Sequence, residues 1–147
     1  MTWEDPTQAI GSGLRIDSWG GRFPLRPSIL LIDDEPDFCS ALHDILEAEG
    51  FDVHAAPNVH RAMSILERLT PDLILTDVMM PGVDGLAFLR RLRSRPEWSR
   101  IRTIVVSAKG MPEDIAAAHH AGADAYLTKP FSARELKNAV ESFFVPR

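Results

Sequence analysis

Five short apolar runs, each followed by a helix-like stripe, constrain this chain more than any other feature. "SILLIDD", "FDVHAA", "DLILTD", "TIVVSA" and "AYLTK" have strand length rather than helix length, and all but the second are continuously apolar before their polar ends. The segments between and after them carry helical spacing instead. "PDFCSALHDILEAEG" places Phe38, Leu42, Ile45 and Leu46 on one face, with Gly50 as its stop. "NVHRAMSILERL" aligns Val59, Ala62, Met63 and Leu66. "GLAFLRRLRS" turns Leu86, Leu89 and Leu92 inward and its arginines outward. "PEDIAAAHHAG" has Pro112 in its first turn and Gly122 at its end. In "SARELKNAVESFF", Ser132 and Glu135 stand at capping-box spacing. Strands alternating with helices predict an α/β fold, a parallel sheet covered on both faces. Right-handed crossovers make it open and doubly wound.

A chain of 147 residues suits one domain of this kind. The alternation begins at Ser28, so residues 28–147 are assigned to the domain. Residues 1–27 mix glycine, proline and scattered aromatics without a period. They are expected to form a flexible or loosely docked extension, with Trp3, Trp19 and Phe23 packing locally or on a partner. A net charge of −5 argues against direct nucleic-acid binding. The lone Cys39 excludes an internal disulfide and fits a small packing residue in a reducing compartment. No stretch has the apolar length to span a bilayer, and the N-terminus lacks a signal-peptide pattern. A cytoplasmic protein without membrane insertion is expected.

In such sheets the functional site lies outside the carboxyl ends of the strands. The first strand delivers Asp33 and Asp34 there, followed by Glu35. The third delivers Asp77, the fourth Ser107, and the fifth Lys129, followed by Pro130. Aspartates converging on one rim repel one another unless a cation sits between them. Mg²⁺, a hard cation taking carboxylates, waters and phosphate oxygens, suits them. Asp34 and Asp77 are the expected direct ligands, Asp33 a direct or water-mediated one, and the Met79 backbone carbonyl a further oxygen. Glu35 is read as a solvated helix-start residue. Lys129 and Ser107 can each contact a phosphoryl oxygen, an arrangement suited to phosphoryl transfer by positioning and electrostatics. Asp77, central among the strand ends, is the candidate nucleophile, because a carboxylate can carry a phosphoryl group. Any one of these residues alone has an ordinary reading as a cap or turn; their order along the chain, each at a strand end, sets them apart.

The pieces "LLIDDEP", "LILTDVMMPGVDG", "VVSAKG" and "AYLTKPF" resemble the receiver domain of bacterial response regulators, the chemotaxis-regulator-like family of two-component signalling. The resemblance covers residues 28 to about 144. It implies a flavodoxin-like sheet of order 2-1-3-4-5. It implies that Asp77 accepts a phosphoryl group from a histidine kinase or a histidine phosphotransfer protein, with Asp33 and Asp34 holding Mg²⁺ and with Ser107 and Lys129 contacting the phosphoryl group. A cis Lys129–Pro130 bond is also implied. So is a switch in which Ser107 moves and Tyr126 turns inward, changing the partner preference of the face made by the fourth helix, fifth strand and fifth helix. By the same analogy Met79 and Lys109 tune the lifetime of the phosphorylated state. Pro81, Gly82 and Gly85 shape the loop behind Asp77.

Such a protein is a regulatory phosphoacceptor that catalyses only its own phosphorylation and dephosphorylation. The chain ends at Arg147, just past the last helix, so no output domain is expected within it. Two alternatives are a module of the same fold that is not phosphorylated in use, and a Mg²⁺-dependent aspartyl phosphatase. The phosphatase wants a second aspartate two residues after the nucleophile, where this chain has Met79. Adjacent His119 and His120 point to different sides of a helix and make poor joint ligands. The basic stretch from Arg90 to Arg100 reads as a solvated helix end and loop.

Overall fold

The computed structural model describes residues 14–16, 22–24, 26–80 and 84–144. Strands β1 (Leu14–Ile16) and β2 (Arg22–Pro24) pair antiparallel, Leu14 opposite Pro24. This ladder lies inside the segment that the sequence marked only as an extension. Trp3 and Trp19 lie outside the described residues. Then follow β3 (Ser28–Ile32), α1 (Pro36–Ala48), β4 (Asp52–Ala56), α2 (Val59–Leu66), β5 (Leu73–Thr76), α3 (Gly85–Ser94), β6 (Arg102–Ser107), α4 (Pro112–Ala121), β7 (Ala125–Thr128) and α5 (Ala133–Glu141).

Strands β3 to β7 form one five-stranded sheet in the order β4-β3-β5-β6-β7. Every pairing in it is parallel. Counted within the sheet this is 2-1-3-4-5, as the resemblance implied. Every residue of β3 and β5 is buried, and only Arg102 of β6 is exposed, whereas the edge strands β4 and β7 are partly exposed. That pattern explains why "SILLI" and "LILT" are continuously apolar and "DVHAA" is not.

The alternation of side chains along β3 divides the core in two. Leu30 and Ile32 pack with Ala62, Leu66, Phe88, Leu89, Leu92 and Ala118, from α2, α3 and α4. Ile29 and Leu31 face the other way, onto Leu42 and Leu46 of α1 and Leu136 and Val140 of α5. Helix ends follow local chemistry. Asn58 accepts from Arg61 N at 2.8 Å, and Asp84 accepts from Leu86 N and Ala87 N at 3.0 and 3.3 Å. The predicted capping box is formed, with Ser132 Oγ accepting from Glu135 N and Glu135 Oε1 accepting from Ser132 N, both at 3.0 Å. Gly122 follows α4 at φ 125°, a conformation that favours glycine.

The basic stretch holds a surprise. Arg93 is not solvated but engaged. Its guanidinium donates to the carbonyls of Gly122 (2.8 and 2.9 Å) and Ile101 (2.6 Å), and to Asp124 Oδ2 (3.0 Å). It caps the end of α4 and ties it to the start of β6.

Candidate functional site

The chain leaves β3 for the edge strand β4 and then crosses back to β5 on the other side of β3. The reversal opens a crevice at the carboxyl ends of β3 and β5, and Asp33 and Asp77 stand there. Both backbones are held by the sheet: Asp33 N donates to Ala56 O at 3.2 Å, and Asp77 N to Ile32 O at 2.9 Å. Lys129 arrives from β7, its N–H bonded to Ser107 O at 2.8 Å. The peptide bond between Lys129 and Pro130 is cis.

Each aspartate divides its two oxygens in the same way. Asp33 Oδ1 accepts from Glu35 N at 2.9 Å, and Asp77 Oδ1 accepts from Met79 N at 2.8 Å. The other oxygen of each, Oδ2, accepts from Lys129 Nζ at 3.0 Å. Glu35 Oε1 lies 3.5 Å from the same ammonium. Asp33 and Asp77 are only 3% and 5% exposed, so these charges lie in a medium that screens weakly. Burial pushes the Asp33 carboxyl above its ordinary value, and the nearby Asp77 charge adds to the rise; the Glu35 N–H and Lys129 pull the other way without cancelling it. Burial alone would push the Lys129 ammonium down, but its hydrogen bonds and charge interactions with Asp33 and Asp77 outweigh it and leave the amine above its ordinary value.

The donor set fits a hard divalent cation. Carboxylate oxygens from Asp33, Glu35 and Asp77 lie within 4.8 Å of one another. Asp34, expected as a direct ligand, is exposed and stands outside this group; Glu35, read as a solvated helix-start residue, is exposed too, yet one of its oxygens reaches the group. The physical reason is the turn after β3. Asp33 is drawn into the crevice by Lys129 and by its bond to Glu35 N, and the next side chain is left at the solvent side. The signal for Glu35 was its place two residues after Asp33, which helix-start chemistry accounted for equally well.

Ser107 is fully buried at the end of β6. Its Oγ accepts from Lys109 N at 3.2 Å, and the Tyr126 hydroxyl donates to the carbonyl of Lys109. Lys109 thus bridges Ser107 and Tyr126 through its backbone. A cavity of about 160 Å³ lies beside them, lined by Val78, Met79, Leu86, Lys109, Asp114 and Tyr126. Met79 is 47% exposed at its edge. Gly85 packs closely behind Asp77: a Cβ there would lie 2.3 Å from Val78 Cα. Pro81 and Gly82 lie outside the described residues. Cys39 Sγ donates to Asp33 O at 3.5 Å, and burial pushes its thiol up. Among the described residues, no helix is long and apolar enough to cross a membrane.

Comparison with known proteins agrees with this fold. The family model described as the response regulator receiver domain matches residues 29–141. An uncharacterized 14.6 kDa protein of Leptolyngbya boryana is 40% identical over 115 residues, covering 78% of this chain and 88% of the relative. Response regulator Rre1 of Synechocystis is 37% identical over 116 residues, covering 78% of this chain and 50% of that protein. The chain therefore spans about half the length of several curated relatives it matches. Among solved structures, the signal receiver domain of a signal transduction histidine kinase from Syntrophus aciditrophicus superposes with a TM-score of 0.73 at 32% identity, covering 80% of this chain and 89% of the other.

Proposed function

The chain belongs to the response regulator receiver domain family of two-component signalling, and on that premise we propose that Asp77 is its phosphoacceptor. The convergence of Asp33, Asp77 and Lys129 at the switch point of the sheet carries the reading. A carboxylate oxygen of Asp77 attacks the phosphorus of a phosphohistidine on a kinase or phosphotransfer protein. The new O–P bond forms as the N–P bond breaks, and its electron pair leaves with the imidazole. Hydrolysis reverses the modification: water attacks the phosphorus, and the Asp77 carboxylate is released with inorganic phosphate.

We assign Asp33, Asp34, Asp77 and the Met79 carbonyl to a Mg²⁺ ion, with Glu35 beside them. When bound, the ion supplies charge to the phosphoryl oxygens and offsets the repulsion among the carboxylates. Lys129 is already within hydrogen-bond reach of Asp77, so it stands where a phosphoryl oxygen on that residue would develop charge. Ser107 supplies a hydroxyl on the neighbouring strand. Its backbone link through Lys109 to Tyr126 supports a switch that reads out phosphorylation on the face made by α4, β7 and α5. A downstream protein docks there in this scheme. Met79 and Lys109, which line the cavity next to Tyr126, govern how water reaches the phosphoryl group.

The test is the intact mass of the protein after incubation with acetyl phosphate, with and without Mg²⁺, for wild type and Asp77→Asn. One added phosphoryl group that needs both Mg²⁺ and Asp77 is expected. No adduct, together with no response to beryllofluoride, would leave an interaction module that is not phosphorylated.

A further inference from the structure

The Lys129 ammonium has a partner that is not an acid. Its Nζ lies 4.1 Å from the centroid of the Phe38 ring, over the face. Phe131 packs edge-on against that ring, with centroids 5.8 Å apart and planes at 76°. The two rings follow the two chain segments that deliver the acids and the lysine. Phe38 stands in the first turn of α1, just after Asp33–Glu35, and Phe131 stands two residues after Lys129. The side chain of Lys129 is 14% exposed, so the ring replaces water on one side of a desolvated cation.

We propose that Phe38 is a positioning residue for phosphoryl transfer: its ring is the seat that keeps the Lys129 ammonium at the site when Asp33 and Asp77 give their oxygens to a divalent cation. The inference rests on the phosphoacceptor reading of Asp77. An ammonium has three N–H donors, and two of them are spent on the carboxylates that a cation would also claim. Glu35, the third acid in reach, belongs to the same oxygen cluster. The ring face attracts the ammonium through its quadrupole and does not compete for a hard metal. It therefore holds the lysine facing Asp77 whether or not the acids are shared. Phe131, by fixing the tilt of the ring, keeps the seat aligned.

Two measurements test this independently. The chain has three lysines, Lys109, Lys129 and Lys137, so lysine-selective ¹³C labelling yields few side-chain signals, assigned with Lys109→Arg and Lys137→Arg. In wild type the ε-methylene protons of Lys129 should be shifted upfield of the other two by the ring current. The shift should persist in Phe38→Tyr and vanish in Phe38→Leu. The second measurement is the rate of phosphorylation by acetyl phosphate at saturating Mg²⁺. Phe38→Leu should slow it by about three- to thirtyfold, the range spanned by such cation–ring contacts, and Phe38→Tyr should restore it. Phe38→Met serves in place of a leucine variant that does not fold. An unshifted Lys129 signal, or a folded Phe38→Leu that is phosphorylated at the wild-type rate, would overturn the proposal. If wild type takes no phosphoryl group but Lys129 is shifted, the seat stands and the phosphoacceptor reading fails.

Discussion

Lys129 Nζ lies 3.0 Å from Asp77 Oδ2 and the same distance from Asp33 Oδ2, so one cation holds two buried carboxylates together. Removing it leaves two acids facing each other in a poorly screened crevice. Lys129→Ala is expected to cost about 3 kcal/mol of stability without metal, the scale for breaking a buried pair. Saturating Mg²⁺ should recover part of that loss. Urea unfolding with and without Mg²⁺ checks both parts.

Asp33 has a carboxyl raised above its ordinary value by burial. As pH rises, the unfolded chain therefore gives up this proton before the folded one does. Within that window the folded state binds more protons, so stability falls as pH climbs through the raised value. Asp33→Asn keeps an acceptor for Glu35 N and removes the penalty. Its metal-free form should be more stable than wild type at neutral pH, and the gain should vanish below the ordinary aspartate range. Denaturant midpoints across pH measure the difference, and a loss at neutral pH would count against it.

Mg²⁺ should stabilise wild type. At ten times its Kd the gain is about 1.4 kcal/mol, or roughly 5 °C for a domain of this size. Asp77→Asn should weaken that response strongly. Asp34→Asn should raise the Mg²⁺ Kd by about tenfold or more, and Glu35→Gln much less. The reverse order, read by calorimetric titration, would transfer the ligand role from Asp34 to Glu35.

Arg93 serves five acceptors with one planar group, Gly122 O, Ser99 O, Ile101 O, Thr103 Oγ1 and Asp124 Oδ2. Lysine cannot reproduce that fork. Arg93→Ala should cost about 2–4 kcal/mol by leaving part-buried carbonyls unpaired. Arg93→Lys should recover less than half of it. Thermal unfolding of the two variants decides the point.

Gly85 has no room for a side chain, since a Cβ would sit 2.3 Å from Val78 Cα. The clash is with backbone, one residue after Asp77. Gly85→Ala should cost about 2–3 kcal/mol as an overpacking change. It should also slow phosphorylation at Asp77 more than the equally destabilising Arg93→Ala does, when both are assayed below their unfolding transitions.

The fold was legible because its signals are local. Strand length, apolar runs in "SILLI" and "LILT", the capping box of Ser132 and Glu135, and Gly122 at the end of α4 each act over a few residues. Phe88 shows a limit. The leucine stripe of α3 was clear, but Phe88 is also buried, because this helix packs against both the sheet and its neighbour α4. The β1–β2 ladder carried no readable period, being only three residues on each side.

What the sequence by itself determined was the identity of the reactive groups. Acids just past the ends of β3 and β5, a serine at the end of β6 and a lysine after β7 follow from where apolar runs stop, and a parallel sheet brings those stops to one rim. What only the tertiary structure decided was how these groups share space. That Lys129 spans both aspartates and rests on Phe38, that Glu35 rather than Asp34 joins the acid cluster, and that Arg93 is a strut and not a solvated charge all depend on residues far apart in the chain. Such contacts are set by the packing of whole elements, and no local pattern of hydrophobicity or turn chemistry encodes them.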